Sequence, residues 1–160
     1  HPRVRRQRQM CIRDRDNIIR HKVEKDDTDM MLAVEKAIEL GYHNITIFGG
    51  TGGRTDHTIA NLQTMLYASI NGVNIKMMDS GNVYRVITDE KITLQAKNKG
   101  TFSVFAMGGR AKGVNIEGAM YSMKNGELTS DNPTAVSNSF AGHNVNISVE
   151  EGSLLIIEER

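Results

Sequence analysis

Residues 47–57 read IFGGTGGRTDH. Two apolar residues end in Gly49-Gly50-Thr51-Gly52-Gly53, and Arg54, Asp56 and His57 follow. The residues before it, NITIFG (44–49), form a short apolar run that ends in glycine and predict a buried strand. After it, Ile59, Leu62, Leu66 and Ile70 recur at helical spacing from about Asp56 to the stop at Asn71-Gly72. The glycines therefore occupy a strand-to-helix crossing, where open α/β sheets bind ligands. Glycine lets backbone N–H groups approach phosphate oxygens, and a helix N-terminus adds a positive dipole end. Arg54 keeps its charge and can grip phosphate with two parallel hydrogen bonds. The stretch lacks the Lys–Ser/Thr pair of a P-loop and the spacing of a dinucleotide fingerprint. Without further support it would also serve as a tight turn with a helix cap at Asp56.

Outward from this loop, DDTDMMLAVEKAIELG (26–41) predicts a helix. Met30, Val34, Ala37 and Ile38 lie at helical spacing, Asp26 or Thr28 caps the start, and Leu40-Gly41 ends it. VNIKMMD (73–79) predicts another strand. Helix, strand, helix, strand indicates a parallel α/β unit over 16–80. Beyond Ser80 the pattern changes. NVYRVIT, KITLQAK and TFSVFAM alternate or run apolar over short lengths, and Asn125-Gly126 suggests a two-residue hairpin turn. NVNISVEEGSLLIIEE suggests a closing hairpin, and no helix is expected after about residue 72. Residues 81–160 are thus expected to form an all-β sandwich domain. Two helices and two strands cannot cover both faces of a parallel sheet, so the α/β unit is expected to be partial.

The 160 residues are 39% apolar and 24% charged, a globular balance. No apolar run is long enough to span a bilayer, no signal peptide is visible, and a single Cys11 excludes an internal disulfide. A cytoplasmic protein that binds no membrane is the expectation. The net charge of +1 hides an asymmetry: residues 1–15 carry six arginines and one aspartate, and the remainder 14 basic and 18 acidic residues. The basic start is expected to be a disordered or non-native tail. A nucleic-acid arm would need a basic face or stacking platform downstream, and none is present, so no nucleic-acid partner is expected.

Asp26, Asp27 and Asp29 cluster at the start of the first helix, where carboxylates suit the dipole. They would serve as an ordinary acidic cap, or as a Mg²⁺ site in which substrate phosphates complete the coordination. In a parallel unit both helices start at the same sheet edge, so Asp26 and Asp29 should face one crevice with Arg54 and Asp56. His57 is either a surface residue or a general base. AVSNSF (135–140) is either a turn or a site offering the Ser137 hydroxyl and Asn138 amide to a heterocycle.

The combination resembles a family. KDDTDMMLAVEKAIELGYHNITIFGGTGGRTDHTIANL (25–62) resembles the catalytic domain of bacterial thiamine pyrophosphokinases, and AVSNSF with SVEEGSLLIIEE resembles the end of their second domain. The resemblance runs from about residue 22 to 160. It implies an α/β nucleotide domain followed by a β-sandwich. It also implies transfer of pyrophosphate from ATP to thiamine with Mg²⁺, and a homodimer that holds thiamine at its subunit interface. By position it assigns Asp26 and Asp29 to metal and phosphate, Thr28, Thr51, Gly52, Gly53 and Arg54 to ATP, and Ser137 and Asn138 to thiamine. Arg54, Asp56 and Asp29 would carry the catalysis. The family opens with a further α/β segment bearing Gly-Asp-x-Asp-Ser. That motif does not occur here, so the chain is expected to be the C-terminal part of such an enzyme, with an inactive nucleotide- or thiamine-binding fragment as the alternative.

Overall fold

Thr28 opens the first helix. In the computed structural model, which describes residues 27–160, its hydroxyl accepts the Met31 N–H at 3.1 Å, and α1 (Asp29–Glu39) follows. The basic segment 1–15, the connection 16–25 and Asp26 lie outside the described residues. At the other end, Gly41 takes φ +82°, and the N–H groups of Gly41 and Tyr42 return to the Ile38 and Ala37 carbonyls. This left-handed cap sends the chain back along the helix into β1 (Asn44–Phe48).

α2 (Thr55–Ile70) joins β1 to β2 (Asn74–Met78), and the two strands pair in parallel from Asn44 opposite Asn74 to Phe48 opposite Met78. The helix lies where its period predicts, but its buried face is rotated. Asn61, Thr64, Met65, Ala68 and Ser69 face inward, while Ile59 and Ile70 are exposed. Polar side chains can occupy that face because each finds a partner. Asn61 donates to the Gly50 carbonyl at 2.8 Å, Thr64 to the Ala60 carbonyl at 3.0 Å, and Ser69 shares a 2.9 Å bond with Thr88, which in turn meets Ser153 at 2.8 Å.

β3 (Asn82–Thr88) turns back antiparallel to β2. Then come β4 (Lys91–Leu94), the long β5 (Thr101–Glu117), β6 (Met123–Thr129), the two-residue β7 (Asn138–Ser139), β8 (Val145–Ser148) and β9 (Glu151–Glu159). Among the described residues the strand order is β1-β2-β3-β9-β5-β8-β4, with β6 and β7 also bonded to β5. No helix follows residue 70 among the described residues.

The centre of this sheet, β3-β9-β5, is covered on both faces. Leu154 and Ile156 of β9, Phe102, Val104 and Ala106 of β5, and Ile87 of β3 point into a core shared with Leu94, Val145 and Ile147. Their alternates, Leu155, Phe105 and Val86, point into a second core beneath the helices with Val34, Met65 and Met77. A strand buried on both faces reads as a continuous apolar run, as in SLLII (153–157). Each such aliphatic side chain withdrawn from water contributes roughly 1.5–3 kcal/mol. The fold is α/β, with a parallel βαβ unit under two helices passing into a β-sandwich. The buried Glu158 is held between Arg85 (2.5 Å) and Lys97 (2.9 Å), and among the described residues no buried side-chain nitrogen or oxygen lacks a partner.

Two turn expectations are corrected. Asn125-Gly126 lies inside β6 rather than at a hairpin tip. Asn125 does take a left-handed φ of +48°, but it does so at a bulge, where the pairing with β5 shifts between Val114 and Ile116 and its N–H donates to Asn115 Oδ1 at 2.9 Å. β8 and β9 do not form a hairpin with each other. Both bond to β5, β8 along Asn115–Glu117 and β9 along Phe102–Met107 and again at Lys112, after an irregularity in the register between Met107 and Lys112.

Candidate functional site

The glycine loop lies where the parallel strands β1 and β2 end. Five residues, Gly49 to Gly53, carry the chain from β1 into α2. Gly49 and Gly53 adopt φ of +70° and +80°, a region that disfavours side chains. Gly50 packs closely for a second reason, since a Cβ there would displace the sulfur of the buried Met77. The Asn61 amide fixes this glycine's carbonyl from the helix, so the loop lies pressed against the sheet end.

Arg54 takes the N-cap position of α2 with extended backbone and no side-chain capping bond. Its guanidinium reaches Asp56 instead, through Nε at 3.1 Å and a second, shorter contact from Nη2, with both side chains largely exposed. The two-pronged hydrogen bond, with charge attraction behind it, raises the Arg54 pKa further and lowers that of Asp56. The guanidinium is thereby held at the helix start, facing solvent, with its charge fixed. His57 is exposed in the first turn of the same helix.

At the end of β2 stands Asp79, which the sequence reading passed over. Its Oδ2 accepts from Thr51 Oγ1 at 2.8 Å and from the Tyr84 hydroxyl at 3.0 Å. Its Oδ1 accepts from the N–H groups of Gly81 (2.8 Å) and Asn82 (2.7 Å). These donors, the Thr51 hydroxyl first, hold its carboxyl down to about 2. Tyr84 is shifted up, by burial and then by its bond to the carboxylate. The signal for Asp79 was present in the sequence: it follows the second strand of a βαβ unit, where an acidic residue often faces a nucleotide.

α1 runs antiparallel to β1 through a four-residue connection, so Thr28 and Asp29 begin the helix at this same edge. Thr28 serves as the cap there, and Asp29 is exposed in the first turn. The structure thus brings Thr28, Asp29, Thr51, Gly52, Gly53, Arg54 and Asp56 to one end of the sheet. Asp26 lies outside the described residues, and among those described no group of three or more His, Cys, Asp or Glu side chains could hold a metal.

Ser137 and Asn138 lie at the same edge, farther along. β7 pairs with Thr101 and Phe102 at the start of β5. Three strands, β3, β9 and β5, therefore separate it from Asp79, about 19 Å at the usual ~4.8 Å strand spacing. Ser137 is exposed with φ +58°, and its N–H donates to Ser103 Oγ at 3.0 Å. Asn138 is buried. Its Nδ2 donates to the Tyr121 carbonyl at 2.6 Å and its Oδ1 accepts the Tyr121 N–H at 3.1 Å. That amide fastens the 119–121 segment, whose Met120 and Tyr121 side chains are exposed.

Two family models match the chain: thiamin pyrophosphokinase, catalytic domain, over residues 3–77, and thiamin pyrophosphokinase, vitamin B1 binding domain, over residues 89–154. A curated relative, the thiamine pyrophosphokinase of Bacillus subtilis (strain 168), is 27% identical over 138 residues. The match covers 86% of this chain and 64% of the relative, so the chain spans just under two thirds of that protein's length. The crystal structure of thiamine pyrophosphokinase from Bacillus subtilis superposes with a TM-score of 0.78 at 26% identity, covering 85% of this chain and 64% of that one. The thiamin pyrophosphokinase of Geobacillus thermodenitrificans gives 0.75 at 27% identity, covering 86% and 64%. A thiamin pyrophosphokinase family protein from Enterococcus faecalis shares the fold, with a TM-score of 0.80 at 24% identity over 98% of this chain and 74% of that one.

Proposed function

Since the chain belongs to the thiamin pyrophosphokinase family, we propose that it moves a pyrophosphoryl group from ATP to thiamine, giving thiamine diphosphate and AMP. The observation that carries this reading is the convergence of the glycine loop, the Arg54–Asp56 pair and the start of α1 on the carboxyl edge of β1 and β2. We assign residues 16–80 to the nucleotide and residues 81–160 to thiamine; the catalytic-domain model matches residues 3–77 and the vitamin B1 binding model residues 89–154.

In the reaction, the thiamine hydroxyl oxygen attacks the β-phosphorus of ATP. The bond from that phosphorus to the oxygen bridging the α-phosphate breaks, AMP leaves with the electron pair, and the hydroxyl proton passes to solvent. Such transfers depend on positioning and on charge stabilisation more than on covalent help from the protein. Gly52 and Gly53 admit phosphate oxygens to the backbone of the loop, and Thr51 and Thr28 belong to the same ATP site. Arg54, oriented by Asp56, meets the charge that develops on the transferred group. Mg²⁺ needs one or two carboxylates when phosphates supply further oxygens. We assign it to Asp29, exposed at this edge, and to Asp26, three residues earlier; bound there it would offset phosphate charge.

Ser137 offers its hydroxyl to thiamine, and Asn138 shapes the pocket by holding Tyr121. The ~19 Å between Asp79 and Asn138 along one sheet favours a homodimer in which Ser137 and Asn138 of one chain complete the nucleotide site of the other. Among the described residues no helix is long and apolar enough to cross a membrane, which suits a cytoplasmic enzyme. The test titrates the full chain with ATP–Mg²⁺ and with thiamine, and follows AMP release. Arg54→Ala should cut turnover on the order of a hundredfold while the melting temperature holds. Binding of both ligands without AMP release, or near-normal turnover in the variant, would overturn the assignment.

A further inference from the structure

The glycine loop has one side chain, that of Thr51, and the structure gives its proton a destination outside the loop. Four of five residues without a Cβ make a segment with many accessible conformations, and a ligand that has to order it binds more weakly. Two ties hold it: the Asn61 amide on the Gly50 carbonyl, and Asp79 on the Thr51 hydroxyl. Asp79 is itself rigidly placed. Its N–H donates to the Asn82 carbonyl, its carbonyl accepts Arg160 Nη1 at 3.0 Å, and its carboxylate accepts two backbone N–H groups and the Tyr84 hydroxyl besides Thr51.

We propose that Asp79 is a positioning residue for the nucleotide: by accepting the Thr51 hydroxyl proton it fixes the glycine loop in the conformation that receives the phosphates. This rests on the ATP-binding reading above and adds a residue to it. Two features favour support over direct contact. A carboxylate beside a polyphosphate is repulsive, and all four lone-pair directions of Asp79 already have donors. Thr51, with its proton on Asp79, offers a ligand lone pairs only, so the loop's donors to phosphate are its N–H groups together with Arg54.

The experiment uses the full chain in five forms: unaltered, Thr51→Val, Asp79→Asn, the double variant, and Tyr84→Phe, which removes a donor to the same carboxylate oxygen without touching the loop. Affinities for ATP–Mg²⁺ and for thiamine are measured by calorimetry beside the melting temperature. Thr51→Val and Asp79→Asn should each weaken ATP about tenfold, as expected for one charge-assisted hydrogen bond, with thiamine affinity within about twofold. The double variant should be no weaker than the weaker single, since both break one link, and Tyr84→Phe should bind ATP normally. ATP affinity within about twofold in Thr51→Val overturns the proposal even if Asp79→Asn fails to fold. So does multiplication of the two losses, or a loss shared equally by thiamine. An unaltered chain that takes up neither ligand instead overturns the functional reading, and this proposal with it.

Discussion

The glycine-loop end and the Ser137–Asn138 end sit on one edge of one sheet, yet they are built in opposite ways. At the first, the charged pair is local and exposed, although Thr51 leans on Asp79 28 positions away. Arg54 pairs with Asp56 two residues away, both stand in solvent, and strand, loop and helix start follow one another within a dozen residues. At the second, Asn138 is buried and its amide is engaged by Tyr121, 17 residues earlier, while Ser137 stands exposed in a left-handed turn. An exposed pair between near neighbours tolerates loss of a side chain without loss of structure. A buried amide that ties two segments together couples ligand contact to folding.

The sharpest way to break that comparison is to mix chains. Arg54→Ala and Ser137→Ala should each be poorly active alone. Mixed after dissociation, they should recover about a quarter of normal turnover if random pairing gives half heterodimers with one intact site each; no recovery would place both residues in one subunit's site. Next, Asn138→Ala should cost about 2 kcal/mol of stability by orphaning the Tyr121 N–H and carbonyl, read by chemical denaturation. Arg54→Ala should leave the same midpoint unmoved, and equal midpoints for the two variants would erase the distinction.

Acidity separates the ends again. The Asp79 pKa is about 2 in the folded chain, below the ordinary ~3.9 of an unfolded aspartate. Its contribution is therefore complete above about pH 4 and is lost as pH falls toward 2. Melting curves of the unaltered chain and Asp79→Asn should differ at pH 6 and converge by about pH 2. A gap that persists there would mean that the variant disrupts packing rather than charge. The smallest effect is a baseline: Glu127→Gln breaks the exposed pair with Arg110 and should shift stability by less than about 0.5 kcal/mol.

The same contrast governs what could be read from the chain. α1, β1, α2 and β2 were legible because period, caps and glycines are local signals, and with them came the parallel pairing and the shared helix starts. The rotated face of α2 was not, since Asn61 and Ser69 are buried only because Gly50 and Thr88 meet them. Nor were the partners of β8 and β9: adjacency in sequence suggested a hairpin, but the break in register along β5 gives each its own stretch of that strand. Asp79 was visible as a residue, but its role depends on Thr51, 28 positions away.

β9 fits between β3 and β5 and fills both cores at once. A growing chain emerging from a ribosome would hold those two neighbours apart, with open edges and apolar surfaces on either side, until SLLII is made. Neither the βαβ half nor the β-sandwich half can then mature early on its own, and quality control meets the polypeptide as one late-closing unit.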